Sequence, residues 1–127
     1  MRKIKFRAWH IRLKKMINVD EMNFCRDGIT RNGAVCVGER DTISPTTPTL
    51  YALNEIELME YVGLEDASGV EIYEGDIIKL LTHDGETAIA EVVFEKAKFK
   101  AKYKCYDYDF DDLVNIKVIG NIYEKSI

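Results

Sequence analysis

The residues with the most distinctive chemistry lie between positions 96 and 112, in the stretch KAKFKAKYKCYDYDFDD. Lysine takes every second position of its first half, and aspartate takes every second position from Asp107 to Asp111. Alternate residues of a β-strand project from the same face, about 6.6 Å apart. The first half could therefore place a row of ammonium groups along the phosphates of an extended single strand of nucleic acid. This lysine row consists of Lys98, Lys100, Lys102 and Lys104.

A second basic row ends in the only tryptophan, near the start of the chain. The segment KIKFRAW alternates, which predicts that Ile4, Phe6 and Ala8 face one way and the basic residues face the other. Proteins that bind single strands combine such cations with aromatic side chains on which bases stack. The members of the second row are Lys3, Lys5, Arg7 and Trp9.

Both rows also have a structural explanation. Lysines on an exposed edge strand prevent pairing with other sheets, and acidic residues on a neighbouring strand could neutralise them. Glu86, Glu91 and Glu95 occupy the hairpin arm that precedes the lysine row. The chain carries a net charge of −4, which disfavours a polyanionic partner. We therefore favour edge protection or charge pairing over nucleic-acid binding.

Catalytic chemistry is poorly represented. The chain has two histidines and three serines, and His83 lies in THDGE, where a turn is the simplest explanation. The cysteines form no C-x-x-C pair, which favours buried free thiols in a reducing compartment over disulfides or a zinc site. A Cys–His pair stays open as an alternative, and no glycine-rich phosphate loop occurs. We predict no catalytic residues and no cofactor; the cysteines are Cys25, Cys36 and Cys105.

The aspartates of DYDFDD raise the question of a calcium site. An EF-hand loop that begins at Asp107 needs glycine at its sixth position and glutamate at its twelfth, but Asp112 and Val118 stand there. Aspartates on a strand also lie too far apart to share one ion closely. We predict no metal site, and instead a solvent-exposed acidic face with three aromatic residues packed beneath it: Tyr106, Tyr108 and Phe110.

The totals are those of a soluble globular protein. The 127 residues are 46% hydrophobic and 31% charged, enough for a core without disulfide or metal support. No run approaches a membrane span, and the basic start MRKIKFRAWHIRLKK lacks the apolar stretch of a signal peptide. We predict a cytoplasmic protein with no membrane partner.

Turn dipeptides and short alternating runs predict a mainly β, antiparallel fold. Asp27-Gly28, Asn32-Gly33 and Asp84-Gly85 suit tight hairpins, and DASG from Asp66 to Gly69 suits a type I turn. The hairpin around residues 84 and 85 joins GDIIKLL to AIAEVVF, and LYALNEIELMEY favours a strand over a helix.

The last part of the chain predicts three further irregularities. Gly120 marks a bend in VNIKVIGNIY. The apolar phase of the 96–112 stretch flips at residues 105 and 106, which requires a bulge or a turn. A further turn near residues 95 to 98 takes Lys96 out of the lysine row.

The two prolines divide the chain. Both lie in GERDTISPTTPT, residues 38 to 49, which predicts a loop or a connection. We predict an N-terminal β region, residues 1 to 49, and a C-terminal β region, residues 50 to 127; the two could form one compact domain.

Several segments resemble the YopX family of phage and prophage proteins. They are KFRAW (5–9) with KKM (14–16), LMEYVGLEDASGVEIYEGDIIK (58–79) and VIGNIYE (118–124), in order and over nearly the whole chain. The chain departs from the family at His10, where the family usually has an acidic residue, and in the lysine-rich KAKFKAKYK. The resemblance implies a small SH3-like barrel in the C-terminal part, a phage or prophage origin and a bacterial cytoplasm. It implies no activity.

These observations favour a non-catalytic binding or assembly module with a host or phage protein as partner. The alternative is a nucleic-acid accessory protein that uses the two basic rows. A metal- or thiol-dependent enzyme comes third. Exposed strand edges would also allow a homo-oligomer.

Overall fold

A computed structural model describes residues 3–24, 35–39, 49–81, 84–103, 106–110 and 113–124. The described residues form twelve strands and one short 3₁₀ turn, Leu53–Glu55, which confirms the mainly β prediction. None of the helical segments among them has the length and apolar character needed to cross a membrane. The strands are β1 (Phe6–His10), β2 (Lys15–Asn18), β3 (Glu21–Phe24), β4 (Val35–Glu39), β5 (Thr49–Ala52), β6 (Ile56–Glu65), β7 (Glu71–Tyr73), β8 (Asp76–Leu81), β9 (Thr87–Glu95), β10 (Lys98–Tyr103), β11 (Tyr106–Tyr108) and β12 (Val114–Asn121).

The chain divides into two compact units, one of residues 5–59 and one of residues 1–4 with 60–127. In the first unit β1 and β2 form an antiparallel hairpin, in which Ala8 lies opposite Ile17. Strands β3, β4 and β5 form a three-stranded sheet. Ala8, Ile17, Tyr51 and Ile56 are buried together and form the core of this unit.

The second unit contains a five-stranded antiparallel sheet in the order β11-β10-β9-β8-β12. The last strand returns beside β8, as a small barrel-like fold requires. The hairpin predicted around Asp84-Gly85 is confirmed, since β8 pairs with β9. One side of the sheet covers a core of fully or nearly fully buried residues: Ile72, Ile78, Leu80, Ala88, Ala90, Val92 and Ala101.

Turn chemistry explains how the strands of this unit end. The DASG turn is confirmed, because the Gly69 amide donates to the Asp66 carbonyl over 3.0 Å. Lys96 and Ala97 have φ angles of 52° and 65° and link β9 to β10, so Lys96 does leave the lysine row. β10 ends at Tyr103 and its antiparallel partner begins at Tyr106. The bulge or turn predicted at residues 105 and 106 falls between these two strands, where residues 104 and 105 lie outside the described part of the chain. The pairing of β12 with β8 shifts register around Gly120, where a bend was predicted.

The Asp66 carboxylate joins this turn to the edge of β12. It accepts hydrogen bonds from the amides of Ser68 (2.8 Å), Val70 (2.9 Å) and Val118 (3.0 Å). The Ala67 amide donates to the Ile116 carbonyl over 3.0 Å. The hydrogen bond from Val118, followed by that from Val70, holds the pKa of Asp66 below its ordinary value. The turn therefore covers backbone groups of β12 that would otherwise form an open sheet edge.

Candidate functional site

The described members of the lysine row, Lys98, Lys100 and Lys102, lie on β10 and are paired with acidic side chains. The Lys98 ammonium is 2.7 Å from the Asp109 carboxylate, and the Lys100 ammonium is 2.9 Å from Asp107. Lys102 donates to Glu95 over 3.0 Å. Lys104 lies outside the described residues. The basic and acidic halves of the 96–112 stretch thus pair with each other across β10 and β11.

Lys100 is buried, which the prediction of an exposed lysine row did not anticipate. Only 3% of its side chain is exposed, and its ammonium also lies 3.5 Å from Glu95. The hydrogen bond to Asp107 raises the pKa of Lys100, and the same bond lowers the pKa of Asp107. The expected exposed position is therefore wrong for Lys100, because its stem is covered, whereas the favoured charge pairing is found, since its ammonium is held between two carboxylates.

Glu95 is the acidic residue that links two of these lysines. The register places Lys102 opposite Glu91 and Lys98 opposite Glu95, yet the Lys102 ammonium reaches Glu95. This hydrogen bond is the main reason that the pKa of Glu95 lies below its ordinary value. Of the three glutamates considered from the sequence, Glu95 is the one that holds a lysine of the row within ion-pair distance in the described structure.

The second basic row does not form a platform for stacked bases. Trp9 is only 9% exposed, because Ala8, Trp9 and His10 are buried in succession rather than in alternation. The predicted exposure of Trp9 beside the basic residues is therefore wrong. Arg7 donates to the sulfur of Met59 over 3.6 Å, and Lys5 also has an interaction partner. Lys3 lies 3.8 Å from Glu71.

The predicted acidic face also differs in detail. Asp107 and Asp109 each bind a lysine ammonium rather than facing solvent alone. Tyr108 and Phe110 pack against the core as predicted, whereas Tyr106 is 60% exposed. In the described part of the chain no three His, Cys, Asp or Glu side chains cluster in a metal-binding arrangement.

His10 is the described histidine, and both of its ring nitrogens face protein groups. Nδ1 accepts a hydrogen bond from the Leu13 amide over 3.0 Å, so the proton of a neutral imidazole belongs on Nε2. Nε2 lies 3.5 Å from the Glu55 carboxylate, and the ring packs edge-on against Tyr51 at 5.3 Å. A cavity of about 230 Å³ beside it is lined by His10, Ile11, Arg12, Asn54 and Glu55. The Nδ1 lone pair is occupied, so this imidazole positions the β1–β2 turn rather than offering a free base.

An open groove of about 370 Å³ with mixed polar and apolar walls lies at the Lys98 end of the lysine row in the second unit. Leu64, which lines it, is 44% exposed. Phe94 is 52% exposed and packs edge-to-face on Phe99 with the ring centres 5.0 Å apart. The groove combines aliphatic and aromatic walls with one ion pair at its rim. Its lining residues are Val62, Leu64, Lys98, Phe99, Asp109 and Phe110.

Local backbone geometry explains why apolar side chains are exposed here. Gly63 separates Val62 from Leu64 and has a φ of +99°, a conformation that side-chain-bearing residues rarely adopt. The pairing of β6 with β7 shifts register between Tyr61 and Glu65. This irregularity turns the end of β6 out of the regular alternation. The sequence signal was a glycine inside an apolar strand, which marks a bulge but does not show that a groove results.

The chain matches one protein-family model and is similar in fold to two solved structures. The family model described as YopX protein matches residues 5–127. Among solved structures, protein EF1440 from Enterococcus faecalis has 23% identity and a TM-score of 0.62, and protein yopX from Bacillus subtilis has 20% identity and a TM-score of 0.59. Each alignment covers 98% of this chain and 96% of the other. No curated protein matches the chain significantly. At these identities the two structures show a shared fold.

Proposed function

The chain belongs to the YopX protein family, and we propose that it is a non-catalytic binding module whose groove, which has both apolar and charged walls, contacts a host or phage protein. The groove holds one or two apolar side chains of that partner. Its volume of about 370 Å³ falls within the range of sites that bind small groups through apolar walls and a few polar ones.

The observation that carries the proposal is the exposure of large apolar side chains at the groove. Leu64 lines the groove and leaves 44% of its surface in water. Phe94 does not line the groove, but it is 52% exposed and packs on Phe99, which does. Contiguous exposed apolar surface with a polar rim is typical of interaction sites. The Lys98–Asp109 pair supplies that rim, and it can exchange hydrogen bonds with polar groups of a partner.

The charge distribution favours a protein partner over nucleic acid. Each described member of the lysine row has a carboxylate within ion-pair distance, so little positive field extends towards solvent. Trp9, the aromatic residue of the second row, is nearly buried. Nucleic-acid binding by these rows would need the carboxylates to release their lysines first.

The proposal also covers the origin of the protein and the compartment in which it acts. We take the chain to be encoded by a phage or prophage and to act in the cytoplasm of a bacterial host. The engaged His10 ring supports a role without catalysis, since the described histidine offers no free proton acceptor.

Capture from a bacterial lysate tests the proposal. Native protein, Leu64→Asp and Lys102→Gln would be immobilised at equal density, and bound material analysed for protein and for nucleic acid. Leu64 is half-exposed, so its substitution should leave the fold intact, which circular dichroism would check. The proposal expects one protein to be retained by the native chain and by Lys102→Gln, and lost with Leu64→Asp. Retention of nucleic acid, or equal capture by Leu64→Asp, would refute it.

A further inference from the structure

Two lysines of the five-stranded sheet lie directly opposite each other without an acidic partner between them. Lys79 of β8 pairs in register with Lys117 of β12, and both are exposed. Directly opposite side chains in a sheet have Cβ atoms about 5 Å apart, and like charges at that position are destabilising. The folded protein therefore retains an unfavourable contact at this place.

The lysines of β10 in the same sheet are treated differently. Lys98, Lys100 and Lys102 each have a carboxylate within 3.0 Å. No ion pair joins Lys79 or Lys117 to any acidic group of the described chain. Lys117 has only a longer-range attraction to Asp66, whose carboxylate is already occupied by backbone amides. In the described part of the chain, Lys98, Lys100 and Lys102 of β10 are therefore paired with carboxylates, whereas Lys79 and Lys117 are not.

Exposed aliphatic side chains flank the two lysines. Ile89 of β9 lies opposite Lys79 on its other side and is 52% exposed. Ile119, two residues beyond Lys117 on β12, is 48% exposed. The four residues Lys79, Ile89, Lys117 and Ile119 form a surface that we call the lysine-pair face. It combines two cations that form no ion pair within the described structure with apolar surface on either side.

We propose that the lysine-pair face is a second contact surface, which binds a protein segment presenting a carboxylate between aliphatic side chains. The carboxylate lies between the two ammonium groups and relieves their repulsion. The aliphatic neighbours cover Ile89 and Ile119. This surface shares no residue with the groove, so the inference stands whether or not the groove binds a partner.

The surrounding charges decide between this occupant and a nucleic acid. Glu91 lies two residues beyond Ile89 on β9, opposite Ile77, and Asp66 is close enough to Lys117 for its pKa to respond. A continuous polyphosphate would meet these carboxylates on leaving the lysine pair. A single carboxylate between the two lysines would not reach these acidic residues. The aliphatic side chains beside it would pack on Ile89 and Ile119, whereas phosphate groups have no apolar surface to do so.

Nuclear magnetic resonance of the native protein with short peptides tests the inference. The probe has the core Ile-Glu-Ile in a serine-rich background, and the matched controls have Ile-Lys-Ile and Ser-Glu-Ser. We expect the first peptide to shift the amide resonances of Lys79, Ile89 and Lys117, and the controls to shift them weakly or not at all. A single-stranded oligonucleotide of similar length is the fourth probe.

Variants separate the lysine pair from general charge effects. Lys79→Gln and Lys117→Gln should each weaken binding of the Ile-Glu-Ile peptide by about fivefold or more, whereas Lys102→Gln, from the neutralised row, should leave it unchanged. Lys79→Gln should also keep or raise Tm, because it removes the repulsion. The inference is overturned if millimolar Ile-Glu-Ile peptide shifts no resonance of the face, if the oligonucleotide or the lysine peptide binds there instead, or if Lys102→Gln weakens binding equally.

Discussion

The Lys100 ammonium lies 2.9 Å from the Asp107 carboxylate, and only 3% of the Lys100 side chain is exposed. Asp107 belongs to the short strand that pairs with the strand of Lys100. Lys98 and Lys100 are therefore paired with aspartates from the acidic part that follows the lysine row. With Lys102 held by Glu95, the three described lysines of the row are all paired with carboxylates, which reduces the positive potential of this part of the sheet.

The first prediction concerns the stability that this pair provides. Asp107→Asn should lower Tm by about 5 °C, because it leaves a covered ammonium group with Glu95 alone. Asp109→Asn removes the partner of Lys98, whose side chain is 55% exposed, and should change Tm by about 1 °C or less. Thermal unfolding followed by circular dichroism measures both. Equal losses in the two variants would contradict the structural role of Lys100.

The second prediction is the dependence of stability on pH. The pKa values of three carboxylates, Asp66, Glu95 and Asp107, are lowered by hydrogen bonds in the folded protein. Their contribution to folding stability is therefore complete at a pH above their pKa values in the unfolded chain, and it is lost as pH falls through their pKa values in the folded protein. Tm should therefore decline below about pH 4. The pKa of Lys100 is raised in the folded protein. Its contribution to folding stability is therefore complete at a pH below its pKa in the unfolded chain, and it is lost above about pH 10, as pH rises through its pKa in the folded protein.

A series of Tm measurements across this pH range checks that Tm falls both at acid pH and at alkaline pH. Asp107→Asn should reduce both the fall of Tm at acid pH and the fall of Tm at alkaline pH, because one hydrogen bond is the leading cause of the pKa shifts of both Asp107 and Lys100. If the variant keeps the native dependence of Tm on pH, the Lys100–Asp107 pair contributes to neither fall.

The third prediction concerns the turn that covers the edge of β12. Asp66→Ala removes the acceptor for the amides of Ser68, Val70 and Val118. Hydrogen exchange at these amides should become about tenfold faster or more, because the local contacts no longer oppose opening. Asp84→Ala is the matched control, since Asp84 lies exposed in another turn. Unchanged protection of Val118 in Asp66→Ala would show that the carboxylate does not hold the edge.

The fourth prediction is that the lysine row does not bind nucleic acid. Four phosphate contacts on a single strand would reduce affinity about fiftyfold between 50 and 200 mM salt, from a slope near −0.7 per contact. We expect no binding of a labelled single strand or duplex at 50 mM salt by fluorescence anisotropy. A salt-dependent loss of that size, abolished when Lys98 and Lys102 become alanine, would restore the nucleic-acid hypothesis.

The sequence predicted the parts of the fold that depend on local patterns. The Asp84-Gly85 hairpin and the turn from Asp66 to Gly69 depend on positive φ angles at Gly85 and Gly69, which few residues adopt easily. The register shift at Gly120 was indicated by a glycine inside a strand pattern. The strand interpretation of LYALNEIELMEY is also confirmed, with the 3₁₀ turn Leu53–Glu55 between β5 and β6. Such signals are contained within a few residues and need no knowledge of the rest of the chain.

The candidate sites could not be predicted in the same way because they depend on contacts between strands. The alternation of KAKFKAKYK placed the lysines on one face, but the burial of Lys100 depends on Glu95 and Asp107 from the two neighbouring strands. Trp9 continued an alternating pattern and is nevertheless buried. The groove depends on the irregularity of β6 around Gly63. The periodicity of apolar residues in the sequence does not predict which of them stay exposed in the folded protein.

The most direct test of the account is photo-crosslinking in a bacterial host from within the groove. A benzophenone amino acid would replace Leu64, and a second protein would carry it at Lys102 as the matched position outside the groove. The account predicts one protein adduct from position 64, weakened when Phe94→Ser is added, and no comparable adduct from position 102. Adducts to nucleic acid, or equal protein adducts from both positions, would contradict the claim that the groove is the contact surface.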